Sequence, residues 1–260
     1  MEKELLRNEQ RIQEMCLMDD DFMSKVFEDV DCVKLLLQII LKRDDLEIDS
    51  VHGQHVVKNL QGRSIRMDIW ARDKEGKIHN IEVQRKNKGA HVKRARYNSS
   101  LIDANVTEAG DDYNELAESY VIFITEKDSL RAKIPICHVE RMIIETGEPF
   151  DDEEHIIFVN SQIQDDTALG KLMHDFYCTN YRNMNYQVLA DRVKYFKEET
   201  EGIKNMSGVF DEVREEGAYE KSIEIAERML LFGKVSYEDI AEYVNLPLEE
   251  IKRLADLQIA

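Results

Sequence analysis

The chain has 260 residues, with 53 Asp and Glu against 35 Lys and Arg, a formal net charge of −18, and 43% hydrophobic residues. That balance describes a soluble chain long enough for one mid-sized α/β domain and a small helical appendage. It argues against a protein that coats nucleic acid without regard to position.

The most apolar stretch, residues 33–41, is too short to span a bilayer, and the charged first residues lack the apolar centre of a secretory signal. Cys16, Cys32, Cys137 and Cys178 are scattered with no CxxC spacing. The expectation is a cytoplasmic protein with reduced thiols, without a zinc site, a disulfide frame or a membrane partner.

Residues 1–15 are polar and helix-prone and read as a frayed lead-in. Over residues 19–42, Phe22, Val26, Val30, Val33, Leu36, Leu37, Ile40 and Leu41 recur at helical spacing. Asp19, Asp20 and Asp21 stand where a cap and first-turn acids favour helix initiation. The pattern fits one helix, or two broken around residues 29–31.

A strand-rich block follows, with strands over 51–60, 64–72 and 78–85 and a hairpin loop at 73–77 that contains Gly76. Residues 88–106 read as a helix. Residues 120–125 (YVIFIT) and 155–160 (HIIFVN) are short continuous apolar runs suited to strands buried on both faces. Between them, 134–144 fits a strand or a short helix.

Beyond residue 168 the strand signals cease. Helices are expected over 169–177 and 186–199, the second closing near Gly202. An acidic helical connector or linker over 203–221 follows, and then a small helical element over 222–260. In that last element Gly233 fits a helix C-cap, and Ser236 with Asp239 fits an N-cap. The layout expected is a core over 1–165, its helical extension over 166–202, the connector, and the terminal element. No GxGxxG or GxxxxGK[ST] follows a strand, which removes dinucleotide and P-loop readings.

Charge is unevenly spread. Residues 58–96 hold 12 Lys and Arg against 4 Asp and Glu, so the rest of the chain carries about −26. A basic segment in an acidic chain marks a local polyanion-binding face, or simply well-solvated strands and loops.

Strand parity sorts the chemistry within this segment. Arg66, Asp68 and Trp70 share one face of their strand; Glu82, Gln84 and Lys86 share one face of the next. If the two strands pair through the short loop, Asp68 and Glu82 meet, with a register uncertain by one or two positions. Two close carboxylates are tolerable around a divalent cation, and hard oxygen donors favour Mg²⁺, with Mn²⁺ as the alternative. The carbonyl of Val83 is a natural extra ligand. Such an ion polarises a scissile phosphate and acidifies a water. The competing reading is a solvated outer face of an antiparallel hairpin.

On the helix after these strands, Arg94, Tyr97, Asn98 and Leu101 fall on one face. Leu101 points to core packing. Arg94 suits bidentate phosphate contact, and Tyr97 suits hydrogen bonding, base stacking or half-buried packing. Lys93 adds positive potential. At the C-terminus, SYEDIAEYVNLPLEEIKRL has helix-turn-helix rhythm. Its second helix is acidic overall, which favours a protein-interaction or oligomerisation element over a DNA reader.

Asp68 followed by Glu82-Val83-Gln84, after the long helix of 19–42 and before the helix with Arg94 and Tyr97, resembles the PD-(D/E)XK nuclease superfamily. More narrowly, the chain is similar to the Rpn-type family of recombination-promoting nucleases and transposases. The matching stretches are DDFMSKVFEDVDCVKLLLQIIL, RMDIWARDKEGKIHNIEVQRK, KRARYNSSLIDA, SYVIFIT, and HIIFVN followed by LGKLMHDF, in order over residues 18–200.

The resemblance implies an α/β, restriction-endonuclease-like core of helix, three-strand meander, helix and strand, with a helical C-terminal region. It also implies a Mg²⁺-dependent DNA endonuclease that hydrolyses phosphodiesters, with a role in recombination. Asp68 and Glu82 become metal ligands; Arg66, Lys93, Arg94 and Tyr97, read from their charge and position beside that pair, are the candidate nucleic-acid contacts. Gln84 stands where the superfamily more often has lysine. Lys86 is the natural substitute, or else a phosphate-contacting or solvated lysine. The alternative is a catalytically weak or inactive nuclease fold that binds nucleic acid or a protein partner, a second copy included; Gln84 and the net charge favour it. Action on RNA or on single strands alone also stays open.

Overall fold

Side-chain chemistry at one hairpin sets the register of the central strands. Asp73 Oδ1 accepts from the N–H groups of Glu75 and Lys77, each at 2.9 Å, and its Oδ2 lies 3.0 Å from His79 Nε2. Gly76 turns the chain at φ +88°, a region open to glycine at little cost. These bonds close the loop between β2 (Ile65–Asp73) and β3 (Ile78–Gln84), which pair antiparallel with Ile69 opposite Ile81.

The chain is described from a computed structural model that covers residues 2–59, 64–85, 92–108 and 110–259. Two compact units appear, Met1–Met206 and Ser207–Ala260. In the first, β1 (Ile48–Val57) joins β2 and β3 in an antiparallel meander. Helix α4 (Val92–Val106) then leads to β4 (Ser119–Thr125), parallel to β3, and β6 (Glu154–Asn160) lies parallel to β4. The short β5 (Ile136–Val139) pairs antiparallel with β6, and the order is β1-β2-β3-β4-β6-β5. This mixed six-stranded sheet with flanking helices is an α/β, restriction-endonuclease-like arrangement.

Helix α4 sends Ala95, Leu101 and Ile102 onto Trp70, Ile78, Val121, Phe123 and Phe158 of the sheet. Ile69, Ile81, Ile122, Ile124, Ile157 and Val159 are buried as well. Central strands covered on both faces explain why the runs in β4 and β6 are continuously apolar.

The helical stretch of 19–42 is two helices, α2 (Asp20–Val26) and α3 (Val30–Leu41). Asp29 makes the break, since its Oδ1 accepts from the N–H groups of Asp31 and Cys32 and caps α3. Both helices pack against β1, and α3 also meets α5 (Ala168–Tyr177) and α6 (Gln187–Glu198).

The lead-in is not frayed. Helix α1 (Glu2–Glu14) buries Asn8 and Ile12, and Met15, Cys16, Leu17 and Met18 are all buried behind it. Lys197 of α6 secures it. This lysine is 3% exposed, and its Nζ donates to the carbonyls of Gln13, Met15 and Thr179 at 2.9, 2.7 and 2.5 Å. Lys197→Met keeps the stem but takes the donor from three carbonyls, of which that of Met15 is buried and those of Gln13 and Thr179 are partly so. The variant is expected to lose about 2–4 kcal/mol in urea unfolding and to raise amide exchange in α1; unchanged exchange there counts against this clamp.

Gly202 lies inside α7 (Thr200–Phe232), so residues 203–221 are helical. The unit from Ser207 onward closes on Ala226, Ile240, Val244, Leu246, Ile251 and Leu254, drawn from α7, α8 (Tyr237–Val244), α9 (Leu248–Ile259) and the turn between the last two. Gly233 takes φ +61° after α7, Ser236 Oγ caps α8 by accepting from Asp239 N, and Asn245 ends α8 in the left-handed region.

Candidate active site

Pairing between β2 and β3 runs as far as Ile69 opposite Ile81, and the next residues along are Asp68 and Glu82. There the N–H of Val83 donates to Asp68 Oδ2 at 2.9 Å, so a carboxylate has taken a backbone donor. Glu82 is fully buried. It points to the face covered by α4, because Asn80, two residues back, and Asn98 and Arg94 of α4 all reach its carboxylate. Asn80 Nδ2 donates to Glu82 Oε1 at 3.2 Å and Asn98 Nδ2 to the same oxygen at 3.4 Å. The Arg94 guanidinium pairs with Oε2.

The electrostatics follow from this burial. Glu82 is pushed up to about 8, first by burial and next by the charge of Asp68; Arg94 and the Asn80 amide pull the other way. Asp68 is pushed up to about 6, chiefly by burial, with a further push from Asp20; the Val83 N–H, Arg94 and Arg66 oppose it. At neutral pH the pair does not carry two full charges by itself. Two adjoining oxygen donor groups, Glu82 fully buried and Asp68 half-buried, that resist joint ionisation are a donor set that fits a divalent cation.

The remaining sequence candidates are spread around this pair. Gln84 is half-buried and, with Val83 and Arg85, lines a cavity of about 600 Å³ whose other wall holds Arg11, Met18, Asp19, Asp20 and Asp21. Arg66 and Lys93 are exposed. Tyr97 packs partly into the core under α4, and its hydroxyl accepts from Asn59 Nδ2 at 3.1 Å. Arg94 is held on Glu82, not turned outward to await a phosphate. Lys86 lies outside the described residues.

Asn80, Arg85 and the three aspartates are neighbours that sequence reading missed, and Asn98, placed with Arg94 on one helical face, was given no partner there. Asn80 had a signal, since it shares strand parity with Glu82. Asp19–Asp21 do start α2, with Asp19 at the N-cap position and Asp20 and Asp21 in the first turn; the Asp19 carboxylate accepts from Cys16 N at 2.9 Å and pairs with Arg85.

A separate group, His174, Asp175 and Cys178, brings one ligand-type atom each within 4.8 Å of one another. Its Asp175 is already committed: the carboxylate takes the N–H of Asn185 at 2.7 Å, the N–H of Tyr186 at 2.9 Å and the Asn185 amide at 2.8 Å. Burial pushes the Cys178 thiol up to about 11. These bonds tie the loop before α6 to α5. Asp175→Ala is expected to destabilise the fold by about 2–4 kcal/mol, read as a shifted urea midpoint. A loss under about 0.5 kcal/mol, the size of an ordinary surface substitution, would contradict this.

The model of the PD-(D/E)XK nuclease family transposase matches residues 28–171, more than half of the chain and the whole of the Asp68–Glu82–Arg94–Asn98 constellation. The chain belongs to this family. Nucleases of the PD-(D/E)XK class generally use divalent metal ions, in keeping with the donor set here. The match starts after Asp19–Asp21 and ends before the unit from Ser207 onward, so those parts are read from this chain alone. No curated protein and no solved structure matches the chain. Among the described residues no helix is long and apolar enough to cross a membrane.

Proposed function

We propose that this PD-(D/E)XK family member is a Mg²⁺-dependent DNA endonuclease, with Mn²⁺ able to substitute, that hydrolyses phosphodiester bonds by in-line attack of water. The observation that carries the reading is the Asp68–Glu82 pair, two carboxylates at adjoining strand positions whose burial holds both above their ordinary range. Asp68 and Glu82 would hold the ion, with the carbonyl of Val83 as a further oxygen donor. When bound, such an ion polarises a phosphoryl oxygen and lowers the pKa of a water.

The chain's own residues do the rest. Asn80 and Asn98 hold Oε1 of Glu82 from one side and fix the rotamer of that ligand. Gln84 is neutral, so it orients a phosphate or a water by hydrogen bonding but offsets no charge. Lys86 is the candidate for charge stabilisation on the phosphate. Arg66, Lys93 and Tyr97 serve as contacts to the nucleic-acid backbone, which position without reading sequence. Recombination is the role we assign, and the cytoplasm the setting, in keeping with reduced thiols. The terminal helices expose Leu231, Phe232 and Tyr243, and in α9 Arg253 pairs with Glu250 at 2.5 Å; we read this unit as a surface for a protein partner or a second copy.

The test is incubation of the purified chain with supercoiled and with single-stranded DNA under Mg²⁺, Mn²⁺ or EDTA. Nicking under either metal and none under EDTA is expected. Binding without cutting under both metals would replace this reading with a non-catalytic nuclease fold. Cleavage of RNA or of single strands alone would move the substrate class.

A further inference from the structure

The two oxygens of Glu82 are used differently. Oε1 faces two amides, Asn80 Nδ2 at 3.2 Å and Asn98 Nδ2 at 3.4 Å. Asn98 Nδ2 also lies 3.2 Å from Asn80 Oδ1, so its orientation is fixed: a flipped amide would set oxygen against two oxygens. Oε2 belongs to Arg94. The pairing is lopsided in exposure, with the Glu82 side chain at 0% and that of Arg94 at 33%. The guanidinium therefore reaches from solvent into the site, and it lies over Phe123 with Cζ 5.9 Å from the ring centroid.

Asn80 and Asn98 are themselves fully buried, so Oε1 stays committed to them. An ion held jointly by Glu82 and Asp68 must then draw on Oε2, the oxygen that Arg94 occupies. A guanidinium and a divalent cation on one carboxylate oxygen repel strongly where water is excluded.

We propose that Arg94 is a resident counter-ion that holds the metal position at Glu82 closed, leaves Oε2 when a divalent ion enters, and in leaving becomes the phosphate contact. This rests on the reading of Asp68 and Glu82 as metal ligands. Metal and polyanion then assist each other: the ion frees the guanidinium, and a phosphate that captures it vacates Oε2. By linkage the two effects are equal in size.

The experiment measures Mg²⁺ affinity by isothermal titration calorimetry on the full chain. Mildly alkaline buffer is used, so that proton competition at the carboxylates is small. Wild type, Arg94→Gln, Arg94→Lys and Glu82→Gln are compared, with and without a phosphorothioate duplex that resists cleavage. Without the duplex, Arg94→Gln is expected to bind Mg²⁺ about tenfold more tightly than wild type, and Arg94→Lys to stay near wild type because the charge is kept. The duplex should tighten Mg²⁺ binding to wild type more than to Arg94→Gln, which keeps only the gain from the ion's own contact with a phosphoryl oxygen.

A second readout needs no stable glutamine variant. The Nε–Hε NMR signal of Arg94 in the wild-type chain, assigned by its loss in Arg94→Lys, should move with the same midpoint as Mg²⁺ saturation. If Glu82→Gln abolishes binding while Arg94→Gln binds no tighter than wild type, or if the signal stays still as Mg²⁺ saturates, the counter-ion role is overturned and the metal site stands. If no Mg²⁺ binding is removed by Glu82→Gln, the metal site itself is wrong.

Discussion

Glu82→Gln and Asp68→Asn are each expected to reduce metal-dependent nicking of supercoiled DNA by at least about 10³-fold, the equivalent of several kcal/mol of lost charge stabilisation. Both replacements keep the shape of the side chain. The amide of Glu82→Gln still offers an oxygen to the Asn80 and Asn98 amides, and that of Asp68→Asn can still accept the Val83 N–H. Circular dichroism and the cooperativity of unfolding should therefore be unchanged while cleavage is lost. That separation gives the test its force, because a variant that merely unfolds would lose both. Wild-type rates in either purified variant would sink the assignment of the site. Gln84→Ala should lose far less than either, on the order of tenfold, since it removes a hydrogen bond but no charge.

The second large effect is on stability. In the folded, metal-free chain burial, joined at Glu82 by the charge of Asp68, pushes Glu82 up to about 8 and Asp68 up to about 6, both above the ordinary carboxylate range. The folded state thus holds these protons more tightly than the unfolded chain. The sign follows directly: the contribution is fully present below the unfolded values and is lost as pH rises through 6 and then 8. Allowing for coupling between the two groups, the loss across that window is on the order of 3–5 kcal/mol. Urea unfolding at about pH 5 and about pH 8.5 in EDTA should show the metal-free chain weaker at the alkaline end. Mg²⁺ should restore stability there and do little in acid, where protons compete for the same oxygens. Glu82→Gln should flatten most of this slope. A wild-type profile that is flat in EDTA would contradict the burial argument.

The pair itself was legible in the sequence because it depends on two short-range facts. Alternation put Asp68 and Glu82 on matching faces, and a five-residue loop with Gly76 left little freedom in how the strands could meet. The residual uncertainty in register lay in the loop's hydrogen bonds, which depend on the Asp73 carboxylate gripping Glu75, Lys77 and His79 at once. The shared helical face of Arg94 and Asn98 was also readable.

What those side chains hold was not. Periodicity assigns a face, and only the packing of α4 on the sheet shows that this face meets a buried glutamate. Asp19–Asp21 carried a sufficient local explanation as helix-start acids, which hid their place across a cavity from Val83 and Arg85. Lys197 was unreadable for a different reason. Its partners are backbone carbonyls of residues 13, 15 and 179, and no sequence pattern records a carbonyl that lacks a donor. The same clamp explains why a polar segment that reads as a loose lead-in is docked. A helix rich in charge can be held by one buried cation, by Ile12 on its own face and by the buried Met15 and Leu17 just after its end.

The most direct test of the central claim is an anomalous-difference map from a crystal of the full chain soaked in Mn²⁺. One peak within coordinating distance of both Asp68 and Glu82, with Arg94 swung off Oε2, is the predicted result. A crystal in which Mn²⁺ is ordered at Asp19–Asp21 or at His174 and Cys178, with Arg94 still seated on Glu82, would contradict it.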